Sequence, residues 1–334
     1  MLQFNKEYYD RIVHENDYTF CKNLKRPLPN LSLEEMRSWL CAYNLEGDIQ
    51  PSNTLVLMGI GVNNVPHMGT VSQFLRAIFL QQRGYKVHII LGDLDSYNLR
   101  GSGVKEAGKI AEKCHIFIRA LGFDTVKARG IIRNQFDHEE VMKTAFLIAP
   151  SVKEQDFFDV EEDLSYYYQE VGLYQGLEFS TKQSILMMFA DFIHPGLIGG
   201  YKNVVVLSGV DEHAYVKKAN EIASRLGANF AVHGLFSPII GGFNEQPKMS
   251  KGLASSAIYV NTPKRVIDEL IQNTPSAGNH NDSIVFQLMR GILFRDPKFL
   301  QEAEEDFYDE QRWAMRKRNF SNTLSQICEL WDKK

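Results

Sequence analysis

Two short segments of this sequence carry residues suited to holding and neutralising a polyphosphate. The first is Gly59-Ile-Gly61-Val-Asn-Asn-Val-Pro-His67-Met-Gly69-Thr70. Gly59 and Gly61 permit tight turning, and Gly69 permits close approach of a ligand to the turn. A helix starting beside His67 would offer unpaired N–H groups and the positive end of its dipole to a phosphate. An imidazole and a hydroxyl in that turn add hydrogen-bond donors. The second segment is Gln246-Pro-Lys248-Met249-Ser250-Lys251-Gly-Leu-Ala-Ser-Ser256, with two ammonium groups three residues apart. Such a loop can close over a triphosphate and neutralise the charge that gathers on a departing pyrophosphate. Each signal is weak alone, because a His beside a Pro and a K-x-x-K loop are both ordinary surface features. The first segment is neither a G-x-G-x-x-G fingerprint nor a P-loop, since no G-K-[ST] closes it.

Carboxylates form a second group of candidates. Asp211 follows the apolar run Val204-Val-Val-Leu-Ser-Gly209, where it could accept bonds from ribose hydroxyls or cap the next helix. Asp93 and Asp95, after Leu91-Gly, read as solvated loop acids or as help in placing Mg²⁺ with ATP. Asp191 stands in the apolar stretch Ser184-Ile-Leu-Met-Met188-Phe-Ala-Asp191-Phe. Burying it is costly without a partner, so it reads as a ligand-binding acid or as a partly exposed one. The tyrosines at 166–168 and Tyr174-Gln175 could line a pocket or belong to the core.

The elements that must position these groups alternate between strand and helix. Thr54–Ile60, Lys86–Gly92, Arg129–Arg133 and Asn203–Gly209 read as buried strands. Helices are expected over Met68–Arg83, closed by Gly84, and over Val104–Leu121, with a polar loop before the latter. This pattern predicts a parallel sheet covered on both faces, with ligands outside the carboxyl ends of its strands. Residues 1–50 read as short helices with a Pro-rich break, one of them started by Ser32 with Glu35 in a capping box. Residues 264–334 read as helices only. The 334 residues, 44% hydrophobic and 23% charged, suit a soluble globular protein, and a net charge of −4 argues against a generic polyanion binder. The dense basic cluster Arg312–Arg318 reads as a solvated helix face before it reads as an RNA contact. Four scattered cysteines, no apolar leader and no membrane-length run point to a reducing, cytoplasmic setting.

Taken together and in this order, the two glycine- and lysine-bearing loops resemble the HIGH and KMSKS signatures of class I aminoacyl-tRNA synthetases. His67-Met-Gly-Thr70 stands for the first, and Lys248-Met-Ser-Lys251-Gly252 matches the second in four of five places. Gly209-Val-Asp211-Glu212 and Ile222-Ala-Ser-Arg resemble the G-x-D-Q segment and following helix of the tryptophanyl/tyrosyl subclass, and Asn281–Met289 resembles the start of its helical anticodon-binding region. The resemblance implies an α/β fold: a Rossmann-like parallel sheet over 51–263, an N-terminal extension over 1–50, and a short helical C-terminal domain over 264–334. It implies activation of an amino acid with ATP and Mg²⁺, transfer to tRNA, and a homodimer. His67, Thr70, Lys248 and Lys251 would then be catalytic. Gly59, Gly61, Gly69, Gly209, Asp211, Met249 and Ser250 would hold ATP. Asp191, Met188, Ser184, Glu212, Gln175 and Asp93 would hold the amino acid, with no dedicated protein metal site. Thr70 and Gly252 depart from the family's usual His and Ser. Ser184 and Met188 replace its Tyr and Gln, and Glu212 replaces a Gln, so that a carboxylate could pair with the substrate ammonium. Tryptophan is the favoured substrate. The alternative is a divergent paralogue that activates another amino acid for a biosynthetic or modification pathway. A non-catalytic binding protein on the same fold is opposed by the intact His67, Lys248 and Lys251.

Overall fold

The computed structural model describes residues 4–100, 103–126, 129–160, 178–275 and 277–333. Helix α1 (Lys6–Glu15) begins where the Asn5 side chain accepts from the Tyr8 N–H. Strand β1 (Thr19–Phe20), helix α2 (Leu33–Met36) and strand β2 (Cys41–Tyr43) follow. At α2 the capping box is complete: Ser32 accepts from the Glu35 N–H, and Glu35 accepts from the Ser32 N–H. The central chain runs β3 (Thr54–Gly61), α3 (Met68–Gln82), β4 (Lys86–Gly92), α4 (Asp93–Arg100), α5 (Val104–Ala120), β5 (Gly130–Asn134), α6 (Glu139–Ile148) and α7 (Glu154–Phe158). Then come α8 (Phe179–Leu197), β6 (Asn203–Gly209), α9 (His213–Arg225) and β7 (Ala231–Ser237). The C-terminal part is helical: α10 (Lys264–Asn273), α11 (Ile284–Ile292), α12 (Pro297–Asp306) and α13 (Glu310–Trp331).

The strands form one sheet in the order β1-β2-β7-β6-β3-β4-β5. The pairs β7-β6, β6-β3, β3-β4 and β4-β5 are parallel, while β1 and β2 add antiparallel at one edge. From β3 the chain first builds outward through β4 and β5, then returns to lay β6 on the other side of β3. The carboxyl ends of β3 and β6 therefore flank the point where the strand order reverses, which is where open α/β sheets bind ligands.

Unbroken apolar strands work here because both faces of the sheet are covered. Val56 and Met58 of β3 join the core under α3, α5 and the C-terminal helices; Leu55 and Leu57 join the one under α1, α6, α8 and α9. On β6, Val205 and Leu207 divide from Val204 and Val206 in the same way, as the two-residue strand period requires. Helix α11 lies across α3. Between them Arg76 is 1% exposed, donating to the Ser72, Gly291 and Ser38 carbonyls and stacking at 4.7 Å on Phe294.

Three local expectations change. The first 50 residues hold two strands as well as helices, because Cys41–Tyr43 finds a partner in Phe236–Gly234 of β7, a pairing too short to show as a period. The polar loop after β4 is helix α4, which starts at once with Asp93 and Asp95 in its favourable first turn. The third core strand sits one residue later, at Gly130–Asn134.

Candidate active site

The turn after β3 is organised around one histidine. His67 is the N-cap of α3, with extended backbone at φ −97° and ψ 168°, and its Nδ1 accepts from the Thr70 N–H at 3.3 Å. Gly69 makes this possible. A Cβ there would lie 2.9 Å from His67 Cε1 and 3.0 Å from Nδ1, so any larger residue would push the imidazole off its cap. Burial, then Lys251 and Lys248, push the His67 pKa down to about 3. The ring is therefore neutral at physiological pH. With Nδ1 accepting, its one N–H sits on Nε2, available as a donor.

The lysine loop is tied to this turn by backbone bonds. The Met68 N–H donates to the Ile258 carbonyl at 2.8 Å and the Val260 N–H to the Pro66 carbonyl at 2.9 Å. Within the loop, the Ser250 N–H donates to Ser256 Oγ at 3.0 Å, and the Tyr259 hydroxyl donates to the Ser250 carbonyl at 3.2 Å. Met249 is buried and its N–H reaches the Ile240 carbonyl. Lys251 Nζ donates to the Gly61 carbonyl, and Lys248 Nζ pairs with Asp211 Oδ2 at 2.6 Å. Thus two lysines and the α3 terminus, far apart in sequence, face one cleft of about 290 Å³.

Asp211 stands at the carboxyl end of β6, after Gly209, where a Cβ would come within 2.3 Å of its Oδ1. Its carboxylate pairs with Lys248 and does not cap α9, whose N-cap residue is Glu212 and has no side-chain cap bond. His67, Thr70, Lys248, Lys251, Gly59, Gly61, Gly69, Gly209, Asp211, Met249 and Ser250 all line the cleft. Glu212, Met188 and Asp95 line both it and a deeper cavity of about 110 Å³ between β3, β4, β6 and α8.

Asp191 borders the deeper cavity, 2% exposed, with Arg133 Nη2 at 2.6 Å from Oδ1 and Gln135 Nε2 at 2.8 Å from Oδ2. Its burial is thus compensated within the protein. Ser184 is buried two turns earlier on α8, its hydroxyl without a partner among the described residues, and lines neither cavity. Asp93 lines neither as well: its Oδ1 accepts from the Leu94 and Phe136 N–H groups, and burial raises its pKa. Gln175 and the tyrosines at 166–168 and 174 lie outside the described residues. Of the two acids after β4, Asp95 is the one at the cleft. Gln135 and Arg133 were not singled out by residue type, yet both sit at the carboxyl end of β5, where the sheet's geometry directs attention.

The basic cluster near the C-terminus is largely absorbed by structure. Arg316 pairs with Asp306 and Glu302, Arg312 with Asp306 and Asp309, and the buried Lys317 donates to the Gln272 carbonyl. All four cysteines are buried and unpaired, and burial pushes the thiols of Cys41, Cys114 and Cys328 up to about 12. Among the described residues no helix is long and apolar enough to cross a membrane.

Comparison with known proteins agrees with this geometry. The profile of the tRNA synthetases class I (W and Y) matches residues 53–319. Tryptophan–tRNA ligase 1 of Halobacterium salinarum is 26% identical over 191 residues, 57% of this chain and 34% of that protein. The chain spans 34–57% of the length of the curated relatives it matches. The structure of tryptophanyl-tRNA synthetase from Aeropyrum pernix superposes with a TM-score of 0.79 at 16% identity, covering 98% of this chain and 94% of that one. Tyrosyl-tRNA synthetase from Archaeoglobus fulgidus, complexed with L-tyrosine, gives 0.66 at 19% identity over 84% and 90%. At such identities the likeness establishes the fold.

Proposed function

The chain belongs to the class I tRNA synthetases (W and Y), and we propose that it joins an amino acid to AMP at the expense of ATP and passes it to tRNA. The observation that carries this is the meeting of the α3 turn and the lysine loop in one cleft, with Lys251 on the Gly61 carbonyl. The substrate carboxylate attacks the ATP α-phosphate in line, and pyrophosphate leaves. The neutral His67 donates from Nε2, the positive end of the α3 dipole faces the phosphates, and Lys248 and Lys251 neutralise the leaving group. Thr70 contributes its hydroxyl, Asp211 holds the ribose, and the Glu212 carboxylate pairs with the substrate ammonium. This is positioning and electrostatic stabilisation, without a protein nucleophile.

Among the described residues no cluster of three or more His, Cys, Asp or Glu could hold a metal. Mg²⁺ held chiefly by phosphates, with one or two carboxylates, needs no such cluster, and Asp95 on the cleft wall fits that smaller role. When bound, the ion neutralises phosphate charge. Tryptophan is the proposed substrate, on the names of the relatives. The homodimer and a cytoplasmic location belong to the same proposal. Among the described residues β5 is the outermost strand of the sheet, and this side, with Ile131 46% and Phe136 54% exposed, is where a second copy would pack. Residues 1–50, 51–263 and 264–334 are proposed as N-terminal extension, catalytic domain and short anticodon-binding-like domain.

Amino-acid-dependent ATP–pyrophosphate exchange across the twenty amino acids tests the first step, followed by charging of bulk tRNA. Exchange with tryptophan and a charged tRNA are expected. Exchange without charging would point to the paralogue that activates an amino acid for another pathway, a reading that the comparisons do not favour.

A further inference from the structure

A further cavity, of about 360 Å³, shares Pro238 and Ile239 with the cleft as a common wall. The rest of its lining comes from α1, β1, the segment between α2 and β2, and α11. Tyr9 of α1 fixes the common wall: its hydroxyl accepts from the Ile239 N–H at 3.1 Å and donates to the Ile239 carbonyl at 3.3 Å. Around the cavity stand Lys6, Lys22, Arg37 and Arg290 against Asp10 and Asp282, four cations to two carboxylates in a chain of net charge −4. Arg290 is half-buried, and burial lowers its pKa. Its hydrogen-bond partner among the described residues is Asn281 Oδ1 at 3.4 Å, with no carboxylate. Arg76, by contrast, is satisfied by three carbonyls. Neutral donors are also idle here. Trp39 is 3% exposed, and neither its indole N–H nor the buried Ser38 hydroxyl has a partner among the described residues. Both residues line the cavity, and Phe4, Tyr9 and Phe20 add aromatic surface. A buried donor and a desolvated guanidinium left short of partners are costly unless a ligand completes them.

We propose that this cavity is a second nucleotide site, taking a nucleotide unit distinct from the ATP of the cleft. Arg290, with Lys22 and Arg37, holds its phosphate, and the aromatic side chains hold its base. Aromatic faces beside cations bind nucleotides of any sequence, because every base has a π-face. The Trp39 N–H and the Ser38 hydroxyl meet the acceptors that a base or a ribose offers. The volume falls in the range of about 300–1,000 Å³ usual for small-ligand pockets, which suits one nucleotide and not a flat anionic surface. Neither the His67 turn nor the lysine loop contributes a residue to the lining. The site is thus separate from the phosphate-binding segments and stands whether or not the cleft adenylates an amino acid. Its occupant is either the 3′ end of an RNA strand lying against the cleft wall or a free mononucleotide, and the recognition chemistry is the same for both.

The experiment titrates cytidine monophosphate into the full chain by calorimetry, with cytidine and inorganic phosphate for comparison. The nucleotide should bind at least about 10-fold more tightly than either of its parts, and its affinity should fall as salt rises. Arg290→Gln should weaken binding by about 10-fold or more, as loss of a charged hydrogen bond implies. The exposed Lys22→Gln and Arg37→Gln should each weaken it by about two- to fivefold. The ATP KM for exchange should stay within about twofold in all three variants, since none of these residues lines the cleft. If Arg290→Gln does not fold, the two surface variants decide the matter. An RNA hairpin with a single-stranded 3′ end separates the two sources. Weakening of its binding by the same substitutions assigns the cavity to an RNA end, and weakening for the mononucleotide alone assigns it to a free nucleotide. No binding of either ligand overturns the proposal, as does cytidine that binds as tightly as its monophosphate. Binding that ATP displaces and the variants leave unchanged also overturns it, because the ligand would then sit in the cleft. A rise of the ATP KM in step with the loss of nucleotide affinity does the same.

Discussion

The two ends of the cleft are built by different strategies. At the phosphate end, each functional segment is short and contiguous: His67 to Thr70 in one turn, Lys248 to Lys251 in one loop. Backbone bonds tie the two segments together, at Met68 to Ile258 and Val260 to Pro66, and Lys248 and Lys251 add side-chain bonds to Asp211 and the Gly61 carbonyl. At the amino-acid end, nothing is contiguous. Asp191 meets Arg133 across 58 positions and Gln135 across 56, and the three come from a strand end and a facing helix. Charge neutralisation tolerates this looser construction because ammonium groups act over several ångströms. Discrimination between similar rings demands hydrogen bonds held to fractions of an ångström, which packed strands and helices provide. On the proposed function, the chemistry falls to loops and the selectivity to the scaffold.

The largest test of this division is Lys251→Ala. Its ammonium reaches the Gly61 carbonyl across the cleft and helps hold His67 neutral. Removing a preorganised charge aimed at the developing pyrophosphate should lower kcat for exchange by about 10²–10³-fold, the range seen when a comparable stabilising donor is deleted. The amino-acid KM should move by no more than about twofold, since the deeper cavity is untouched. Equal losses in kcat and in amino-acid affinity would mean that the two ends are not separable.

The same contrast explains how much was legible in the sequence. The core strands and α3 were readable because their apolar runs are long and end in glycine. The phosphate end was readable because its chemistry is local: two short segments, each weak alone, that in this order resemble the HIGH and KMSKS signatures. The amino-acid end was not. Arg133 and Gln135 look like ordinary polar residues at a strand end, and only their hydrogen bonds to α8 reveal that they compensate Asp191. Asp93 and Asp95 illustrate the limit from the other side. Two residues apart and chemically identical, they part company because α4 begins immediately after β4. That turns Asp93 inward to backbone N–H groups and leaves Asp95 at the cleft.

A smaller effect is expected from Gly69→Ala, which sharpens the claim that the phosphate end depends on one turn. The added Cβ would meet the His67 ring at 2.9 Å. The ring must rotate away, losing its bond from the Thr70 N–H. An N-cap of this kind is worth about 1 kcal/mol, so a modest fall in the unfolding midpoint is expected. Exchange kcat should drop by about 10-fold, because the Nε2–H no longer points where α3 directs it. A crystal structure of the variant with the His67 ring in place and full activity would remove the capping role.

The smallest effects concern pH, and they separate the two ends through two histidines. Burial, then Lys251 and Lys248, hold His67 down at about 3, while burial, then Arg133, His138, Lys86 and His194, hold His88 of β4 down at about 4. In the unfolded chain both titrate near the ordinary value of about 6.5. Below that pH the unfolded state therefore binds more protons than the folded one. Stability is fully present above about 6.5 and is lost as pH falls toward 4 and then 3. Differential scanning calorimetry should show a melting temperature lower by about 3 °C or more at pH 5 than at pH 7.5, and His88→Phe should flatten that slope by removing one titrating group. Exchange should behave differently. Because His67 stays neutral from pH 5.5 to 8, kcat should show no step near 6.5 attributable to it, and His67→Asn should lower the rate while leaving the shape of the profile unchanged. A step that disappears in His67→Asn would show a histidine that works as a proton carrier, and the phosphate end would then rest on acid–base chemistry, not on a fixed neutral donor.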